Sequence, residues 1–144
     1  MLEIINQQRK IRIDSNNFKD FAAAVVKTLP EARGKTLTIA FVSDAKMQKL
    51  NREFRGKNKT TDVLSFPFEP NEFDFESNQN ALGDIAISLE QAARQAEENN
   101  LALDVEIKQL ILHGILHLSG FDHAIDNGEM NRRELELRDK LGIS

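Results

Sequence analysis

The chain has 144 residues, 40% apolar and 29% charged, a net charge of −4 and no cysteine. That length suits one domain spanning 1–144, able to bury roughly two-thirds of its unfolded surface in a core without staples. Disulfides, thiolate catalysis and cysteine-based zinc sites are excluded, the charge gives no overall pull toward nucleic acid, and no apolar run approaches the roughly 18 residues that span a bilayer.

In chain order, MLEIINQQRKIRI is too polar for a signal peptide, so a soluble, cytoplasmic protein is expected. Residues 2–13 alternate weakly and end in Lys10-Ile11-Arg12-Ile13, which predicts a strand there. Ser15-Asn16-Asn17 offers caps for a helix with Phe18, Phe21, Ala22, Val25 and Val26 on one face, closed by Pro30 and Gly34. Leu37 to Val42 is β-rich. Ser43 or Asp44 caps a helix that presents Ala45, Met47, Leu50 and Phe54. Val63 to Phe68 reads as a strand ended by Pro67 and Pro70, and residues 69–81 as an acidic, flexible loop. Ile85 to Ile87 predicts a short strand, followed by a capping box at Ser88-Leu89-Glu90-Gln91 that opens a helix to about Asn99. Asp104 is placed as the cap of a helix carrying Leu110, Ile111, His113, Gly114 and His117. Asn127 begins a last, charged helix with Leu135, Leu137 and Leu141. The sum is an α/β (α+β) fold, a small mixed sheet of about four strands packed with about five helices.

All three histidines fall within HGILHLSGFDH, residues 113–123. His113 and His117 are one helical turn apart on one face, about 6 Å between Cβ atoms, the spacing by which a helix offers two imidazoles to one metal ion. On a continued helix His123 would lie roughly 9 Å further along the axis. Gly120 lets the chain turn back, so that His123 can reach the same ion. A lone histidine on an apolar face is ordinarily a satisfied core residue. Three so arranged in a histidine-poor chain point instead to a zinc site on a helix and its following turn, with the vacant position of a catalytic centre. Gly114 is either a packing glycine, at a helix cost of about 1 kcal/mol, or a gap left beside the metal.

The pattern H-x-x-x-H-x-x-G-x-x-H is similar to that of the metzincin proteases, which carry their general-base glutamate where this chain has Gly114. Peptide hydrolysis by that route lacks its base. A metal can still lower the pKa of its water toward 7 and polarise a phosphoryl oxygen, where a nearby cation helps. Lys46, Lys49, Arg52, Arg55, Lys57 and Lys59 form such a basic patch, countered by Glu53. It is either a solvated helix face or a grip on a polyanionic backbone, with Arg55 placed to hold a phosphate bidentately. Gly56-Lys57 is not a P-loop, because the upstream glycine is missing.

The stretches HGILHLSGFDH, NREFRGKNKTTDVLSFPF and LGDIAIS together resemble the YbeY family of bacterial rRNA maturation factors, in order and spacing over most of the chain. The resemblance implies a single-strand-specific, zinc-dependent endoribonuclease that matures the 3′ end of 16S rRNA and acts in late ribosome quality control. It implies single-stranded RNA, ribosomes and assembly factors as partners, no membrane, and a cleft between the metal histidines and the basic region. Carried over by position, His113, His117 and His123 match the zinc ligands, His117 and Arg55 the catalytic pair, and Arg55, with Lys57 and Lys59 beside it, the contact to RNA phosphate. Asp84 falls in the family's Gly-Asp-Ile element, and Asp84 and Asp122 are placed as carboxylates that steady a metal ligand from behind. Asp62 and Ser65 belong to the strand that borders the cleft, and Thr60 stands where many relatives have proline. The attacking group is left open between a metal hydroxide and the ribose 2′-OH. Two other readings stay in play: a zinc hydrolase or peptidase with another substrate, and a non-catalytic ribosome assembly factor with a structural metal.

Overall fold

The computed structural model describes residues 2–68, 80–121 and 127–143. Among these residues nine elements follow in chain order: β1 (Leu2–Asn6), α1 (Ser15–Thr28), β2 (Thr36–Val42), α2 (Asp44–Arg55), β3 (Val63–Pro67), β4 (Ala81–Ser88), α3 (Leu89–Glu98), α4 (Leu103–Leu118) and α5 (Glu129–Leu141). The strands form one mixed sheet in the order β1-β2-β4-β3. The β1–β2 and β2–β4 pairs are parallel, and β3 runs antiparallel to β4. This is the expected fold class, four strands with five helices. Among the described residues no helix is long and apolar enough to cross a membrane.

Alternation along the strands divides the core between the two faces of the sheet. Leu37, Ile39 and Phe41 of β2 and Ile85 and Ile87 of β4 turn to one face and pack with α1, α4 and α5. Val42, Leu64 and Ala86 turn to the other, where Met47 of α2 covers them. α4 is the central element of the larger side, with Ile107, Ile111, Leu112, Ile115 and Leu116 fully buried. Each such side chain contributes about 1.5–3 kcal/mol on leaving water, so this helix is held by packing and not by its own propensity.

Several boundaries differ from the sequence expectation, each for a local reason. Lys10–Ile13 is not a strand; β1 ends at Asn6. The buried Gln8 amide donates to Asn6 Oδ1 (2.9 Å) and to the Ile11 carbonyl (2.8 Å), and accepts from the Ile11 N–H (2.9 Å), folding this stretch on itself. The cap of α1 is Asp14, whose Oδ1 accepts from the Asn16 N–H. α4 starts at Leu103, so Asp104 sits in its first turn, complementing the helix dipole without capping it. α5 starts at Glu129 behind Gly128, whose φ of +98° suits glycine, and not at Asn127. β4 is longer than expected because it opens with a bulge. Thr36 pairs with Ala81 and Leu37 with Gly83, leaving Leu82 as the extra residue. Gly83 has φ +147°, and a Cβ there would collide with the Phe66 carbonyl oxygen. Of the expected loop, residues 69–79 lie outside the described residues, while Ala81 belongs to β4.

α2 is tied down at both ends. At its N-terminus the Ser43 hydroxyl accepts from the Lys46 N–H, and Asp44 gathers three side chains. Asp44 Oδ1 accepts from Ser88 Oγ at 2.7 Å and Thr60 Oγ1 at 3.2 Å, and Oδ2 pairs with Arg94 Nη2 at 2.7 Å. Ser88 also caps α3, accepting from the Gln91 N–H as the capping box predicts. Burial alone would raise the Asp44 pKa, but the Ser88 hydroxyl, the Arg94 guanidinium and the Thr60 hydroxyl outweigh it and hold the carboxyl below the ordinary 3.8. A carboxyl whose pKa is lower folded than unfolded stabilises the fold fully above 3.8 and loses that contribution as pH falls through the depressed value. Asp44→Asn is therefore expected to cost about 1–3 kcal/mol at neutral pH by urea unfolding. The gap to wild type should narrow in acid; a gap independent of pH would mean that the carboxylate charge is not the source.

Candidate active site

His113 and His117 stand on a strip of α4 that the core does not seal: His113 is half-buried and His117 exposed. They line a cleft of about 320 Å³ together with Phe54 and Arg55 from the end of α2 and with Ser65 and Phe66 of β3. Two regions separated by about 60 residues of sequence thus meet, because α4 packs against β3 and β4 while α2 ends over the same sheet edge.

The end of α2 is set by its C-cap. Gly56 is left-handed at φ +68°, its N–H donates to the Arg52 carbonyl, and the Lys57 N–H donates to the Asn51 carbonyl. The buried Asn51 amide then donates to the Lys59 carbonyl at 2.9 Å, drawing the following loop back along the helix. Arg55 is left as the last helical residue, exposed at the mouth of the cleft. Lys57 and Lys59 are exposed but do not line it; Lys59 borders a separate cleft on the Asp44 side of α2. The basic segment is therefore divided, and Arg55 is its member among the histidines. Of the strand residues, Ser65 lines the cleft. Asp62 instead bonds its neighbours, accepting from the Val63 N–H at 2.7 Å and from Gln95 Nε2 at 3.1 Å.

His113 Nδ1 lies 3.0 Å from Glu134 Oε1 on α5. A carboxylate only accepts, so the proton of this contact is on Nδ1, and in the neutral ring the lone pair is on Nε2. Glu134 is itself buried, and its other oxygen accepts from Arg138 Nη2 at 3.2 Å. A carboxylate behind one of two imidazoles a turn apart fits the requirements of a borderline divalent cation held through Nε2. Among the described residues no three such groups converge; His123 and Asp122, which the sequence assigned to the site, lie outside the described residues.

Two expectations are corrected here. Asp84 does not stand behind His113 or His117, the histidines among the described residues. It is exposed and shares the α2 face of the sheet with Ala86, opposite Ile85 and Ile87 on which α4 packs, and it lines other clefts. The carboxylate behind His113 is Glu134. The sequence marks it only as one glutamate in a charged helix, and the packing of α5 on α4 singles it out. Phe54, expected on the inward face of α2, is 64% exposed, its ring held edge-on against Phe66 with centroids 5.2 Å apart. The available signal was its place next to Arg55-Gly56 at a helix end.

Gly114 is a packing glycine, and the gap it leaves is not beside a ligand. A Cβ there would lie 2.8 Å from Ile85 Cδ1 and 3.2 Å from both Cγ atoms. A glutamate at this position would be driven into the sheet, so the metzincin base has no room. For Gly114→Ala, overpacking of about 1–3 kcal/mol outweighs the roughly 1 kcal/mol gained in helix propensity. A net loss of up to about 2 kcal/mol is expected, partly recovered when Ile85→Val is added. Strict additivity in that cycle would mean that the two residues do not compete for the same space.

Comparison with known proteins places these features in company. The family described as Endoribonuclease YbeY matches residues 3–142. The Endoribonuclease YbeY of Carboxydothermus hydrogenoformans is 41% identical over 146 residues, spanning 99% of this chain and 99% of the relative. That of Koribacter versatilis is 50% identical over 111 residues, 77% of this chain and 67% of the relative. The solution structure of TM1509 from Thermotoga maritima has a TM-score of 0.67 at 26% identity, covering 98% of this chain and 89% of that one.

Proposed function

The chain belongs to the Endoribonuclease YbeY family, and from that premise we propose that it is a single-strand-specific, zinc-dependent endoribonuclease. Its substrate in this reading is 16S rRNA, in 3′-end maturation and late ribosome quality control, with the ribosome and its assembly factors as cytoplasmic partners. The observation that supports the reading is the cleft shared by Arg55, His113 and His117.

His113, His117 and His123 would hold the zinc ion. When bound, zinc supplies a Lewis acid for a phosphoryl oxygen and an activated nucleophile near neutral pH. The chain's own residues do the rest. Arg55 offers a planar pair of N–H donors at the cleft mouth, matched to two oxygens of one phosphate, where negative charge grows during cleavage. Glu134 holds the His113 proton on Nδ1 and fixes the plane of the ring. Ser65 adds a neutral hydroxyl to the cleft wall. A peptidase reading lacks support, because Gly114 faces Ile85.

His117 is exposed and fills no core position, so His117→Ala is expected to remain folded by circular dichroism. It should lose cleavage of a labelled single-stranded rRNA fragment that wild type cuts. Equal cleavage by both proteins would expose a contaminant, and an unfolded variant would favour a structural metal. Arg55→Glu should abolish cleavage without lowering zinc content. Glu134→Gln should weaken zinc binding or activity by about 10–100-fold, read by competition with a chromophoric chelator; unchanged zinc affinity and activity would remove Glu134 from the site.

A further inference from the structure

On the other side of Phe54 and Phe66 from the histidine cleft lies a second groove of about 530 Å³. Its floor is the open part of the α2 face of the sheet. Thr38, Asp84 and Phe66 stand in register across β2, β4 and β3, with Ala40 and Ala86 alongside. The small side chains leave the space, and α2 walls it with Leu50 and Phe54. Phe54 and Phe66 line both grooves, so the two are continuous over one aromatic edge. The ring of Phe54 is largely exposed yet braced by Phe66, which makes it a fixed platform. Asp84 is an exposed carboxylate on that floor, an acceptor that repels phosphate and receives N–H groups.

We infer that this groove is a nucleobase subsite: the base of a nucleotide adjoining the phosphate at Arg55 stacks on Phe54 and presents a donor edge to Asp84. The inference rests on reading the neighbouring cleft as the phosphate site. The chemistry selects among bases. Guanine offers two adjacent N–H donors on its Watson–Crick edge and suits a carboxylate best. Uracil flanks its single N–H with two carbonyl oxygens, which the carboxylate repels. Thr38, paired in register with Asp84, adds a hydroxyl able to meet either kind of group. Single-stranded RNA is the form that can splay a base into such a groove.

The chain contains no tryptophan and no tyrosine, so Phe54→Trp introduces a unique fluorophore at the platform. Titration with a short single-stranded oligoribonucleotide containing one guanosine should quench it. The same oligonucleotide with an abasic ribose at that position should not. Phe54→Ala should weaken binding of the guanosine oligonucleotide roughly tenfold, and its effect should vanish with the abasic one. Wild type should prefer guanosine to uridine at that position by roughly tenfold, and Asp84→Asn should erase the preference while remaining folded. Arg55→Ala should weaken all the oligonucleotides alike and leave the guanosine-to-uridine ratio intact. Binding by wild type that ignores base identity, the abasic substitution and Phe54→Ala would overturn the subsite and leave the phosphate cleft standing. Failure of wild type to bind any of them would overturn both.

Discussion

The contact on which the rest of the structure depends is the seating of α4 against β4 at Gly114. Without a side chain at that position the helix backbone settles directly over Ile85. The close approach lets Ile107, Ile111 and Ile115 fill the layer between α4 and its neighbours, and it fixes the rotation of the helix about its axis. Once that rotation is set, the two histidines have one place to go, the rim next to β3. The polar chemistry of the cleft is in this sense a by-product of an apolar fit, and a fit of this kind tolerates little change in volume.

The other wall of the cleft is positioned by a different kind of force. α2 covers the thinner side of the sheet, with few buried side chains of its own. Its placement relies on the charged and hydroxyl groups around Asp44 at one end and on the left-handed Gly56 turn at the other. A packed core fixes one half of the site and a hydrogen-bond network the other. The two differ in their sensitivity to conditions. The first weakens as the hydrophobic effect weakens, and the second as charges are neutralised.

What could be read from the sequence follows this division. The paired histidines declare themselves because i, i+4 spacing has one geometric meaning on a helix, and Arg55 because it precedes a glycine at a helix end. Strands β2 and β3 and helices α1, α2 and α3 follow from periodicity and caps. What escaped reading depends on contacts distant in the chain or on exceptions to periodicity. The end of β1 is decided by the Gln8 amide, which competes with the ladder. The side of the sheet on which Asp84 stands is decided by strand pairing through the bulge at Leu82 and Gly83, which no propensity encodes. Glu134 looks like any other glutamate of a solvated helix until α5 is laid on α4, and Phe54 obeys the helical spacing of a core residue while lying on the surface.

The carboxylate that orients His113 comes from a later part of the chain, twenty-one residues further on. Synthesis is directional, so α4 has been made, and can seat on a sheet whose four strands all precede it, before Glu134 exists. The histidine site is therefore completed in time as well as in space. A nascent chain that has reached only the end of α4 already carries both imidazoles of the cleft, but without the Glu134 carboxylate that selects between the ring nitrogens of His113. The choice between the two ring nitrogens of His113 is in this way tied to the docking of α5.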